Sequence, residues 1–202
     1  MNVTARKAPR GRPKTFNRSH VIGVATQAYW EKGQSQVSLN AICHRAKVSK
    51  PSLYKEFESE DGLKQAVLID YHKRTLAPLY KMLEENQPFE TGLEALTQYV
   101  LRDHQEYNMP NGCLFVDMCQ CREAVGELTG SQIDHFQSLS LKTFEVWIGS
   151  AKANNQLKST VPPRTAAIYI DAQIASIMNM QRQGVSAENM SAVFRLALSV
   201  FE

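Results

Sequence analysis

Hydroxyls and cations crowd residues 49–55, which read Ser-Lys-Pro-Ser-Leu-Tyr-Lys. Their chemistry is contact with an anion rather than bond-making. Ser49 is placed to cap a short helix whose first turn holds Pro51, where a missing N–H costs nothing. Leu53 and Phe57, four residues apart, then point to a core and leave Lys50, Ser52, Tyr54 and Lys55 facing outward. A positive helix end carrying hydroxyls and cations suits phosphates and base edges together.

A second helix start stands just upstream. Ser38 precedes Leu39, Ile42, Cys43 and Ala46, whose offsets of three, four and seven put them on one face of about two turns. That helix ends at Ala46-Lys47-Val48, so residues 37–63 form a helix-turn-helix and double-stranded DNA is the expected partner. In such motifs the second helix enters the major groove by its N-terminal residues. Lys50, Pro51 and Ser52 are therefore assigned to base edges, and Ser38, Tyr54 and Lys55 to phosphates.

From His20 to Leu63 the chain resembles the TetR family of bacterial transcriptional regulators. The positions that carry the likeness are Ile22, Ala25, Tyr29 and Gly33, then Ser38-Leu39, Ile42, Ala46-x-Val48-Ser49, Leu53-Tyr54-x-x-Phe57 and Ser59-x-Asp61-x-Leu63. Three residues depart from the family's habit. Lys47 stands where glycine is usual in the turn, and positive φ there costs about 1–2 kcal/mol, so a different turn geometry is expected. Glu56 and Glu60 replace groups that favour phosphate; Glu60 is expected instead in the first turn of a helix capped by Ser59.

Charge follows the same division. Residues 1–60 hold 11 Lys+Arg against 4 Asp+Glu, while residues 61–202 hold 12 against 16, within an overall charge of +3. The segment Arg6–Lys14 has five cations in nine residues with Pro and Gly interspersed, and a disordered basic arm is expected over 1–16. Within it Arg10-Gly11-Arg12-Pro13 resembles elements that lie in narrow minor grooves, which makes Arg10 and Arg12 candidate DNA contacts; a solubilising tail is the alternative. No apolar run approaches the roughly 20 residues of a membrane span and no secretory signal is visible, so a cytoplasmic location is expected. Four cysteines in 202 residues read as free thiols rather than a disulfide framework.

No segment beyond Leu63 shows the alternation of a strand, and an all-α chain is predicted: a DNA-binding domain over 17–62 and a larger helical domain over 63–202. Helices are expected from Ser59 toward Glu85 with a break at Pro78, from Thr91 to Glu106, from Cys113 to Val125, and from a Ser131 cap to Asn155. Two more are expected near 162–183 and 186–201. In the last of these, Leu196 and Val200 widen the stripe Met190, Val193, Phe194, Ala197, Leu198 and Phe201, a breadth that suggests burial against more than one neighbour. The resemblance implies that these two helices pair with their copies in a homodimer, and that a small-molecule effector binds among the preceding helices.

Candidate ligand contacts are Cys113, Phe115, Met118, Cys119, Arg122, Phe144, Trp147 and Tyr169, with Arg122 suited either to an anionic group or to a surface ion pair. Cys113, expected at a helix N-terminus that lowers thiol pKa, raises redox or electrophile sensing as an alternative. His72, His104 and His135 lack metal-ligand spacing, and no metal or cofactor is expected. An enzyme is not expected, because the chain lacks a Gly-rich phosphate loop, a Gly-x-Ser-x-Gly elbow and a flagged acid pair. The expectation is a TetR-like dimeric regulator, a repressor by the family's usual mode, reading a palindrome and released by an effector; an architectural DNA-binding protein is the remaining alternative.

Overall fold

The computed structural model describes residues 16–85 and 87–201, so the candidate arm contacts Arg10 and Arg12 lie outside the described residues. Among the described residues the chain is helical, with no strand: α1 (Arg18–Lys32), α2 (Leu39–Ala46), α3 (Lys50–Phe57), α4 (Glu60–Tyr71), α5 (Ala77–Glu84), α6 (Phe89–Leu101), α7 (Leu114–Gln120), α8 (Glu127–Ala153), α9 (Pro163–Arg182) and α10 (Ala187–Leu198). No described helix is long and apolar enough to cross a membrane.

Side-chain caps set many of the helix starts. Asn17, Ser38, Ser49, Ser59 and Ser186 each accept the N–H three residues on, taking one of the donors a helix start leaves unpaired. Apolar residues on one side of each short helix close a core between them: Ala25 and Tyr29 of α1, Ile42 of α2, Leu53 of α3 and Leu63 of α4 are almost wholly buried.

Four expectations are corrected. The turn after α2 keeps the left-handed geometry despite its lysine: Lys47 has φ 55° and ψ 42°, and the N–H of Val48 reaches back to the carbonyl of Cys43 at 3.1 Å, closing the helix end. The helix expected to reach Glu106 ends at Leu101; the Asp103 carboxylate then takes the Gln105 N–H at 2.8 Å and turns the chain. The helix from Cys113 stops at Gln120 and tightens into a 3₁₀ turn over Arg122–Ala124. The long helix begins at Glu127, not at a Ser131 cap, because its unpaired N–H groups are satisfied from elsewhere. The Asp61 carboxylate on α4 accepts Leu128 N–H at 2.9 Å and Thr129 N–H at 3.3 Å, and the Thr129 hydroxyl donates to the Asp61 carbonyl at 3.0 Å.

The break near Pro78 takes a specific form. Between α4 and α5 the chain makes a π turn over His72–Leu76, with Ala77 N–H bonded to the His72 carbonyl five residues back. Pro78 has no N–H for the Arg74 carbonyl, and in a regular α-helix its ring would clash with that carbonyl, so the helix widens by one residue rather than breaking. Beyond it α8 and α9 form the most extensive helix pair, and α10 packs on both α9 and α6. Met190, Phe194, Leu198 and Phe201 are buried there, whereas Val193, Leu196 and Val200 remain exposed, Leu196 at 75%. The wide stripe of α10 is thus covered on one side within the chain and open on the other.

Candidate nucleic-acid interface and regulatory cavity

The outward face of α3 is built by subtraction. Leu53 and Phe57 anchor the helix in the core, and Lys50, Pro51, Ser52, Tyr54 and Lys55 are all exposed. Ser49 Oγ accepts the Ser52 N–H at 3.2 Å and lies 2.7 Å from Ser52 Oγ, so both hydroxyls sit at the positive end of the helix. The Lys50 ammonium lies 5.8 Å from the centre of the Tyr54 ring, close enough for a weak cation–π contact that biases the lysine toward the tyrosine. Ser38 is occupied as acceptor by Ala41 N–H at 3.2 Å; its O–H remains a donor that can meet a phosphate.

Neighbouring residues complete this face. Phe16, Asn17, His20, Lys47 and Val48 border a hollow of about 400 Å³ with Ser49 and Ser52. None of the five was assigned a DNA contact from sequence; the visible signals were the capping Asn17 and the lysine in the turn. Glu56, the acid that stands to repel phosphate, is paired with Arg18 at 3.1 Å, and the Arg18 guanidinium also lies over the Phe57 ring at 5.2 Å. Glu60 occupies the first turn of α4 and pairs with Lys64 at 3.2 Å.

Two bridges join this unit to the helices that follow. One is the Asp61 cap on α8. Gly126 is part of it, since a side-chain carbon at that position would collide with the Asp61 carboxylate. The other passes through Gly112: Trp30 Nε1 of α1 donates to its carbonyl at 3.0 Å, and its N–H donates to Gln181 Oε1 of α9 at 3.0 Å. Gly112 has φ 80°, and a Cβ there would lie 3.0 Å from the Met178 carbonyl, so glycine is needed for both conformation and approach.

A cavity of about 140 Å³ opens among α5, α7, α8 and α9. Of the eight candidate ligand contacts, Cys113, Phe115, Cys119 and Phe144 border it. The other four do not. Met118 is fully buried in the core, and Trp147 lines a separate surface hollow with Phe89. The Tyr169 hydroxyl donates to the Ala197 carbonyl at 2.9 Å. Arg122 holds Asp134 through two bonds at 3.0 and 2.8 Å, the surface ion pair that was its alternative reading. Sequence periodicity cannot tell which side of a buried helix meets a void. Tyr80, Ser140 and Asp171, not anticipated, border the cavity as well.

The setting of Cys113 does not favour the alternative of a reactive thiol. The residue does stand at the start of α7, but it is buried, and Tyr71 Oη donates to its sulfur at 3.3 Å. Burial pushes the thiol up, outweighing the hydrogen bonds from Tyr71 and the backbone of Val116 and Phe115, which lower it. Burial likewise pushes Cys119 up to about 12. Among the described residues no group of three or more His, Cys, Asp or Glu is gathered for a metal ion.

Comparison with known proteins adds the family. Residues 21–67 match the sequence model of bacterial regulatory proteins of the tetR family. Over 188 residues the chain is 22% identical to the HTH-type transcriptional repressor ComR of Escherichia coli (strain K12), covering 93% of this chain and 90% of that protein. Its fold matches a cysteine mutant of the TetR family transcriptional regulator CifR, complexed with 26-bp double-strand operator DNA, at a TM-score of 0.79 and 20% identity, over 95% of this chain and all of that one (100%). A TetR family regulator from Agrobacterium tumefaciens matches at a TM-score of 0.80 and 16% identity, over 91% of this chain and 96% of that one. Residues 21–67 thus carry the sequence pattern of the tetR family's regulatory proteins, and over nearly its whole length the chain shares the fold of TetR family regulators.

Proposed function

We propose that the protein is a dimeric transcriptional repressor that binds a palindromic operator through α3 and is released from it by a small-molecule effector. In this reading residues 17–62 are the DNA-binding domain, residues 63–202 the regulatory and dimerisation domain, and residues 1–16, with Arg10 and Arg12, a basic arm for the minor groove. The observation that carries it is the outward face of α3, where Lys50, Pro51, Ser52, Tyr54 and Lys55 are exposed on a helix pinned from behind by Leu53 and Phe57. The repressor named among its relatives and the operator complex of a structural neighbour support the same direction of function.

Dimerisation is supported by the open side of α9 and α10, where Ile168, Val193, Leu196 and Val200 are exposed. Two copies related by a two-fold axis bring two recognition helices to half-sites about 34–36 Å apart, or a multiple of that spacing. Genome-wide mapping of bound DNA tests the reading. A few sites sharing a palindrome support it; uniform coating of the chromosome with a steep salt dependence would instead identify an architectural protein.

A further inference from the structure

The cavity among α5, α7, α8 and α9 is mostly apolar, with Gln120, Gln137 and Ser140 as neutral polar neighbours, and it carries one carboxyl group, that of Asp171. The rings of Tyr80, Phe115 and Phe144 surround a space of about 140 Å³. A dry cavity of about 150 Å³ accommodates a benzene ring, so the space suits one ring or its aliphatic equivalent. Asp171 of α9 borders it, with its carboxylate accepting the Ser140 hydroxyl at 3.0 Å. Among the described residues no lysine, arginine or histidine forms an ion pair with Asp171. Burial pushes this carboxyl up and the Ser140 bond only partly offsets it. A carboxylate in such a place is costly unless a cation meets it.

The geometry points to a small organic ammonium as the occupant, with its ring-sized apolar body between Tyr80, Phe115 and Phe144 and its N–H groups on the Asp171 carboxylate. This rests on the regulator reading, in which the cavity is the effector site, and adds the chemical class of the effector. The bordering thiols of Cys113 and Cys119 are held protonated by burial, so they present polarizable apolar surface rather than a second anion.

Calorimetric titration of the full-length protein with benzylammonium, benzyl alcohol and benzoate tests it without DNA. A charge-assisted bond is stronger than a neutral one, so benzylammonium should bind about fivefold more tightly than the isosteric alcohol, about 1 kcal/mol, and benzoate most weakly. Asp171→Asn should abolish the preference for the amine while retaining the alcohol. Equal affinities in the unmodified protein, tighter binding of benzoate, uptake of none of the three, or a preference that survives Asp171→Asn each overturn the proposal. If the variant does not fold, the ranking in the unmodified protein decides alone. Binding of operator DNA, measured separately, keeps the two readings apart: DNA binding without an amine preference removes the ligand class only, and amine binding without DNA binding removes the regulator.

Discussion

On α3 the exposed residues divide by what they can reach. Lys55 carries a compact charge on a flexible stem, suited to a phosphate, whereas Ser52 sits in the first turn with its hydroxyl beside that of Ser49 at 2.7 Å. Lys55→Ala should therefore weaken binding to operator and random duplex alike and reduce the slope of log affinity against log salt by about 1. Ser52→Ala should change the ranking of operator variants in a competition assay while leaving that slope unchanged. Equal effects of both changes on specific and random DNA would contradict the division. Lys47 bears a conformational cost that glycine avoids, so Lys47→Gly should raise stability by about 0.5–1 kcal/mol in a denaturant melt, and a lower midpoint would contradict the strain argument. Cys113 sits behind Tyr71 with its thiol pushed up, so the folded protein exposed to iodoacetamide near neutral pH should keep Cys113 unmodified by mass spectrometry. Rapid alkylation there would reopen the sensor reading.

At the scale of elements, the junction of α4 with α8 joins the helix-turn-helix unit to the helices that follow. The Asp61 carboxylate does for α8 what a cap from its own chain segment does for other helices, and it reaches across 67 positions of sequence to do so. Asp61→Ala should cost about 1 kcal/mol, as loss of an N-cap does, and lower Tm by roughly 2–4 °C in a chain of this length. An unchanged melting temperature would mean that the cap contributes nothing. The same bond explains what was legible in sequence. Helix starts whose cap lies next in the chain, Ser38, Ser49, Ser59 and Ser186, could be read from local residues; α8 could not, because its cap lies on α4. Periodicity placed Leu53 and Phe57 inside and the polar face of α3 outside, since one buried side fixes the other. It misassigned Met118, Trp147 and Tyr169 to the cavity, because whether a buried helical residue meets a neighbour or a void depends on packing between distant segments.

For the whole molecule, the proposed function requires the helix-turn-helix and the open apolar side of α9 and α10 to serve one geometry. A single α3 reads only a few base pairs, and pairing two copies multiplies both contact and specificity. Leu196, 75% exposed, makes no core contribution within its own chain, so Leu196→Glu should leave the fold intact and shift sedimentation from dimer to monomer. An unchanged dimer would place the interface elsewhere. The most direct test of the account is fluorescence anisotropy of the protein on a palindromic duplex recovered from genome-wide mapping, against a scrambled duplex and a single half-site at physiological salt. The account predicts two protomers per palindrome and binding about 1,000-fold or more tighter than to the scrambled duplex. Equal affinity for all three duplexes, or one protomer per palindrome, would contradict it.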